Sequence, residues 1–150
     1  MAHIVLYDER PNDPEHSISY PNTAQTRGKP ALTLEVGQLG QSKSSDIELI
    51  YQACMNAVQH LSMLGSLPKK SSNVILYRKL VSIHSPKTGI FIPQVKVGDS
   101  VNKGQEIGWI SDYFGHRIAT LYATVAGDVL MQKETPPIRE GETTTDIGIR

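Results

Sequence analysis

Residues 97–108 read Val97-Gly98-Asp99-Ser100-Val101-Asn102-Lys103-Gly104-Gln105-Glu106-Ile107-Gly108. A Gly-acid turn, a short run, a second Gly turn and a closing Ile-Gly follow in close succession. Glycines that interrupt short apolar runs at this pace mark strands joined by tight turns. The pattern recurs. Ser85-Pro86-x-x-Gly89 precedes Val97-Gly98-Asp99 and Ile107-Gly108, and Ala123-Thr124-Val125-Ala126-Gly127 precedes Glu140-Gly141-Glu142 and Ile147-Gly148. The second copy is longer between its first glycines, where Pro136 and Pro137 sit.

Strand candidates extend outward from this stretch: 74–83, 89–93, 106–110, 117–124 and 128–132. Residues 73–150 therefore read as a small all-β barrel or sandwich. Two halves related by a pseudo-twofold would make a barrel-sandwich hybrid, the shape of biotinyl and lipoyl carriers, which residues 97–105 resemble. Such a carrier needs a lysine on the turn between its halves, here near 111–116, and there is none between Lys103 and Lys133. A packing or capping role is expected instead.

Upstream, Pro68-Lys69-Lys70-Ser71-Ser72 reads as a linker. Residues 31–67 read as one strand and one helix. Ala31-Leu32-Thr33-Leu34-Glu35-Val36 is the strand, closed by Gly37. Ser45-Asp46-Ile47-Glu48 has capping-box spacing. Ile47, Ile50, Cys54, Val58, Leu61 and Leu64 follow at helical steps, so Cys54 is expected in a core, and Gly65 is expected to cap the helix. A strand and helix make half of an α/β layer, which cannot bury both faces alone. Residues 1–30 open on a possible strand, His3 to Tyr7, then turn polar with Pro11, Pro14, Pro21 and Pro30. This lead segment is expected to be extended and poorly packed, because proline removes a donor and constrains its neighbour.

Composition narrows the function classes. The 150 residues carry 15 Lys plus Arg and 15 Asp plus Glu, which disfavours a general nucleic-acid binder or a polybasic membrane-surface protein. No run reaches the length of a spanning helix, and residues 1–7 lack the basic region of a signal peptide. One cysteine excludes an internal disulfide, so a cytoplasmic location is expected.

Glu35 carries two readings. It is either a strand-end carboxylate facing water or pairing with a cation, or a general base at the C-terminal end of a sheet strand, where α/β sites collect.

Gly28-Lys29-Pro30-Ala31-Leu32-Thr33-Leu34-Glu35-Val36-Gly37 resembles a segment of the succinylglutamate desuccinylase/aspartoacylase family, zinc-dependent deacylases related to carboxypeptidases. Similar agreement extends over about residues 22 to 150. It includes His60-Leu61-x-x-Leu64-Gly65, Ser85-Pro86-x-x-Gly89-x-Phe91-x-Pro93, the stretch 97–108 and Asp112-x-Phe114-Gly115. The resemblance implies an α/β remnant, a strand plus helix of a carboxypeptidase-like sheet, ahead of the β module. It also implies that Glu35 is the catalytic glutamate, activating a zinc-bound water and then protonating the leaving amine. Small N-acyl amino acid-like substrates come with it.

The departure lies upstream. The family holds zinc with a His-x-x-Glu pair and a later His, whereas His3 and His16 here begin no such pair. The chain thus looks like the C-terminal part of such an enzyme: a fragment, a truncated product or one piece of a split protein. Zinc belongs to the parent family, and no metal ligand is assigned to this chain, which is expected to be inactive alone. Its expected partner is the missing N-terminal half or a second copy. His60, His84 and His116 read as surface residues, and nothing in the sequence ranks Arg27, Arg78, Arg117 and Arg139 as substrate ligands. Two functions remain: the C-terminal part of a hydrolase cleaving an N-acyl amide or related ester bond, or a non-catalytic module for packing, oligomerisation or partner binding.

Overall fold

The computed structural model describes residues 15, 19–65 and 74–150, and the backbone of 2–5. Two compact units divide the chain, residues 1–6 with 73–150, and residues 7–72.

The first unit holds strands β1 (Ala2–Val5), β2 (Val74–Tyr77), β3 (Lys79–His84), β4 (Gly89–Pro93), β5 (Ser100–Val101), β6 (Glu106–Ser111), β7 (Arg117–Tyr122), β8 (Gly127–Gln132), β9 (Pro137–Ile138) and β10 (Thr143–Ile149). β1 and β2 pair in parallel. The others form two antiparallel sheets, in the orders β3-β10-β8-β5 and β7-β6-β4-β9. Neither sheet closes on itself.

The sequence repeat is written into this topology. Replacing β3, β4, β5 and β6 by β7, β8, β9 and β10, and the reverse, turns one sheet order into the other. Each sheet therefore takes two strands from each half. Ile83, Val101, Val129 and Ile147 of one sheet meet Phe91, Ile107, Ile110, Leu121 and Ile138 of the other in one buried cluster.

The repeated glycines serve this packing. A Cβ on Gly89 would strike the Ser111 carbonyl oxygen and lie 2.7 Å from Ile110 Cγ2. On Gly127 it would strike the Gly148 carbonyl oxygen and lie 2.7 Å from Ile147 Cγ2. The two sites are counterparts in the repeat, each at the start of a strand crossed closely by its neighbour. Backbone obstructs both, so the added methyl has no flexible side chain to push aside. Gly127→Ala should lower stability by about 1–3 kcal/mol, the usual effect of overpacking. A urea melt followed by Trp109 fluorescence would measure it; an unchanged midpoint would show that the strands slide apart freely.

The second unit holds α1 (Tyr20–Thr26) and α2 (Ser44–His60). The loop expected through residue 30 contains α1, because Ser19 caps it, its Oγ accepting from Asn22 N at 3.3 Å, and Pro21 lies in the first turn, where its missing donor costs no helical bond. Much of the remaining lead segment lies outside the described residues, as does the linker 68–72.

The strand expected over 31–36 is not formed. A strand is defined by its ladder, and no described residue pairs with this one. α2 appears as the periodicity requires, with different ends. Its N-cap is Lys43, with no side-chain cap bond, so the Ser45–Glu48 box is not used. At its C-terminus Ser62, not Gly65, takes the left-handed turn (φ 59°). Ser62 N donates to Gln59 O at 3.0 Å and Met63 N to Val58 O at 3.1 Å, the paired bonds of a Schellman ending. Cys54 is exposed rather than in a core, because nothing described covers its face of the helix.

Candidate functional site

Glu35 lies between Gly28 (φ 72°) and Gly37 (φ 92°), in a segment without regular structure. Its side chain is exposed, as is Leu34, while Val36 is half-buried. Gly37 passes close over α2: a Cβ there would stand 3.0 Å from Asp46 Oδ2. The segment just beyond Glu35 thus runs close to Asp46 in the first turn of α2. Among the described residues Glu35 has no ion pair, so its carboxylate remains available to solvent or substrate. The apolar enclosure that would tune it as a buried base is absent from these residues.

The histidines are scattered. His60 ends α2, and His84 Nδ1 lies 3.3 Å from Thr143 Oγ1. His116 Nδ1 lies 2.9 Å from Asp112 Oδ2. The His3 side chain and all of His16 lie outside the described residues. Among the described residues no three His, Cys, Asp or Glu side chains are placed to hold a metal ion. Zinc needs at least three protein ligands around an open position, so these residues do not fit it.

The turn between β6 and β7, where a carrier lysine would stand, presents Tyr113 and Phe114, both strongly exposed. Asp112 Oδ1 accepts from Phe114 N at 2.9 Å and His116 N at 2.8 Å. Desolvation opposes the charge on Asp112, but bonds from His116 and Phe114 outweigh it and hold the carboxyl below its ordinary pKa. Behind the turn, Arg117 pairs with Glu106 and stacks over Trp109, 5.7 Å from the ring centre.

A second polar centre escaped sequence reasoning. The nearly buried Asp128 accepts from Tyr77 Oη at 2.7 Å, Ser100 Oγ at 2.6 Å and Arg150 Nε at 2.9 Å. Burial works against its charge; the bonds from Ser100, Tyr77 and Arg150 prevail, and its pKa falls below the ordinary value. Burial, then the bond to Asp128, raises the Tyr77 pKa. The partners come from β2, β5 and the residue after β10, so the centre ties these elements to β8. A shallow pocket of about 340 Å³, lined by Ser100, Val101, Ala126, Gly127, Asp128 and Arg150, opens beside it. An Asp between Gly127 and Val129 was its faint local signal; its partners are distant in sequence.

Among the described residues no helix is long and apolar enough to cross a membrane.

No family model matches the sequence, and no curated protein matches it. Solved structures do. A succinylglutamate desuccinylase/aspartoacylase from Rhodobacter sphaeroides superposes with a TM-score of 0.78 over 98% of this chain, at 19% identity. The chain has the succinylglutamate desuccinylase/aspartoacylase fold. It spans only 45% of that relative's length. A succinylglutamate desuccinylase from a Silicibacter species gives 0.78 over 98% of the chain and 44% of its own, at 16% identity. The product-bound ectoine utilization protein EutE (DoeB) from Ruegeria pomeroyi gives 0.76 over 87% and 41%, at 20% identity. The desuccinylase/aspartoacylase likeness thus runs through both compact units while covering less than half of each relative.

Proposed function

We propose that this chain is the C-terminal part of a zinc-dependent deacylase that hydrolyses an N-acyl amide or related ester bond of a small acylated amino acid, with Glu35 as general base and acid. The observation that carries the reading is the superposition of 98% of the chain on a desuccinylase/aspartoacylase structure, together with the position of Glu35 in a segment resembling the family's catalytic one. Hydrolysis of an amide requires a group that takes a proton from the attacking water and delivers one to the departing nitrogen. Glu35 has the chemistry and the exposure for that exchange. In the parent family zinc activates the water; its ligands must come from outside the described residues.

In this reading residues 31–67 belong to the hydrolase layer. The module 73–150 is a barrel-sandwich hybrid without a carrier lysine, supported by its two sheets of exchanged halves. The single cysteine suits a cytoplasmic setting. A second reading, a non-catalytic module for packing or partner binding, draws on the strongly exposed Tyr113 and Phe114 at the turn between β6 and β7.

The deciding experiment measures amino acid release from N-acetyl and N-succinyl amino acids, by the chain alone and by a protein that also contains the rest of the fold. No release is expected from the chain alone, and zinc-dependent release from the completed protein. A completed, folded, zinc-loaded protein that releases nothing would overturn the deacylase reading and leave the module reading.

A further inference from the structure

We propose that a pocket beside β8 and β10 binds a primary alkylammonium group, anchored on the carboxylate of Asp146. The site lies within the β module and does not depend on Glu35.

Asp146 is only 9% exposed, and its Oδ1 is fully enclosed with no donor bonded to it. Thr145, wholly buried beside it, also leaves its Oγ1 without a partner. Nearly all buried polar atoms find a partner, and a buried carboxylate without a donor or counter-charge is costly. Two such atoms on consecutive residues point to a donor from outside the chain.

The strand register gives Asp146 its setting. Ile147, the next residue, belongs to the core cluster, so alternation turns Asp146 to the outer face of the sheet. Its ladder partners there are Ser82 on β3 and Met131 on β8. The ladder is irregular on both sides of β10. It shifts between Thr143 and Thr145 against β3, and between Asp146 and Ile147 against β8. Irregularities of this kind re-aim side chains and collect next to sites. A pocket of about 240 Å³ opens at this place, lined among the described residues by 131–133 and 143–146.

The lining selects a cation of single charge on an aliphatic stem. Asp146 is its one carboxylate among the described residues, and Lys133, the other charged group, is matched by Glu142 Oε2 at 3.1 Å. A single carboxylate is a poor seat for calcium, which takes six to eight oxygens and usually several carboxylates. The pocket is also many times the volume of about 10–15 Å³ that one water needs, so a bare ion would leave it unfilled. Met131 adds an apolar side chain to the wall. A primary ammonium brings three donors to the acceptors, and its alkyl stem covers apolar surface. Free aliphatic amines and protein lysines both present this group.

The full chain, labelled with ¹⁵N, is titrated with 1,5-diaminopentane and separately with Nα-acetyl-lysine amide. Each should give saturable shifts of the backbone amides of 131–133 and 143–146. Potassium chloride or calcium chloride at matched ionic strength should give none there. Asp146→Asn keeps the shape and removes the charge, and should weaken amine binding by about 10–100-fold, the worth of a hydrogen bond to a charged group. In urea the variant should unfold no earlier than the parent, since it gives up a buried charge that is left unpaired. Tighter binding of the diamine assigns the pocket to free aliphatic amines, and tighter binding of the lysine amide assigns it to a protein lysine. Amines that shift nothing, binding unchanged by Asp146→Asn, or equal shifts from potassium or calcium would overturn the proposal. A clear loss of stability in the variant would overturn it too, because it would reveal a partner inside the chain.

Discussion

Asp128→Ala should destabilise the β module by about 3 kcal/mol, the upper range for stripping a buried donor of its charged acceptor, since Arg150 stays largely in solvent. The substitution leaves the fully buried Tyr77 hydroxyl without its acceptor and frees Ser100 and Arg150 from the point where they converge. Urea unfolding followed at Trp109, the single tryptophan, gives the number, and Tyr77→Phe provides a graded companion. That variant removes one hydrogen bond to a charged acceptor and should cost about 1.5–3 kcal/mol. A loss below about 1 kcal/mol for Asp128→Ala, typical of an exposed pair, would show that the centre is solvated. The pH dependence has a definite sign. The folded pKa of Asp128 lies below the ordinary value of 3.8, so its contribution is complete above that value and is lost as pH falls through the folded pKa. Tyr77 behaves oppositely. Its folded pKa exceeds 10.0, so its contribution is complete below that value and is lost as pH rises through the folded one. Asp128→Asn should flatten the acid limb of the stability profile and leave the alkaline one less affected.

Glu35→Gln, in a completed protein that hydrolyses N-acyl substrates, should lower turnover by about 10²–10⁴-fold, the share of a positioned acid–base group. Glutamine keeps the shape and cannot exchange the proton. Fold and zinc content should stay unchanged, because Glu35 is exposed and forms no ion pair among the described residues. The loss should fall on kcat and kcat/KM together, the mark of an interaction made only in the transition state. Unchanged turnover would return Glu35 to the role of an ordinary solvent-facing carboxylate.

The sequence makes legible what short-range physics controls. Gly and Pro between apolar runs mark β4 at its observed ends and β6, β7 and β8 to within a few residues, whereas the single run expected over 74–83 is divided at Arg78 into β2 and β3, which lie in different sheets. The two-residue strands β5 and β9 are too short to show a period. β10 hides behind three threonines and an aspartate. Thr144 is tolerated in the buried strand because its Oγ1 donates to Ile83 O at 2.8 Å. The segment 31–36 has the composition of a strand, but pairing is a tertiary event that composition does not supply. α1 was concealed by its proline, which reads as a breaker and in the first turn is an initiator. For the candidate site, a motif singled out Glu35, whereas its exposure became visible only in three dimensions. Asp128 could not be ranked at all, since Tyr77 and Arg150 reach it from 51 and 22 residues away.

The exchange of strands between the two halves dictates when the β module can form during synthesis. β3 lies at one edge of its sheet and bonds only to β10, while β8 is held between β10 and β5. Until Thr143–Ile149 have been made, β3 has no neighbour in its sheet and β8 lacks one of its two. The first half therefore cannot complete either sheet by itself. A chain interrupted before residue 143 leaves apolar strands unpaired, the kind of intermediate that aggregates.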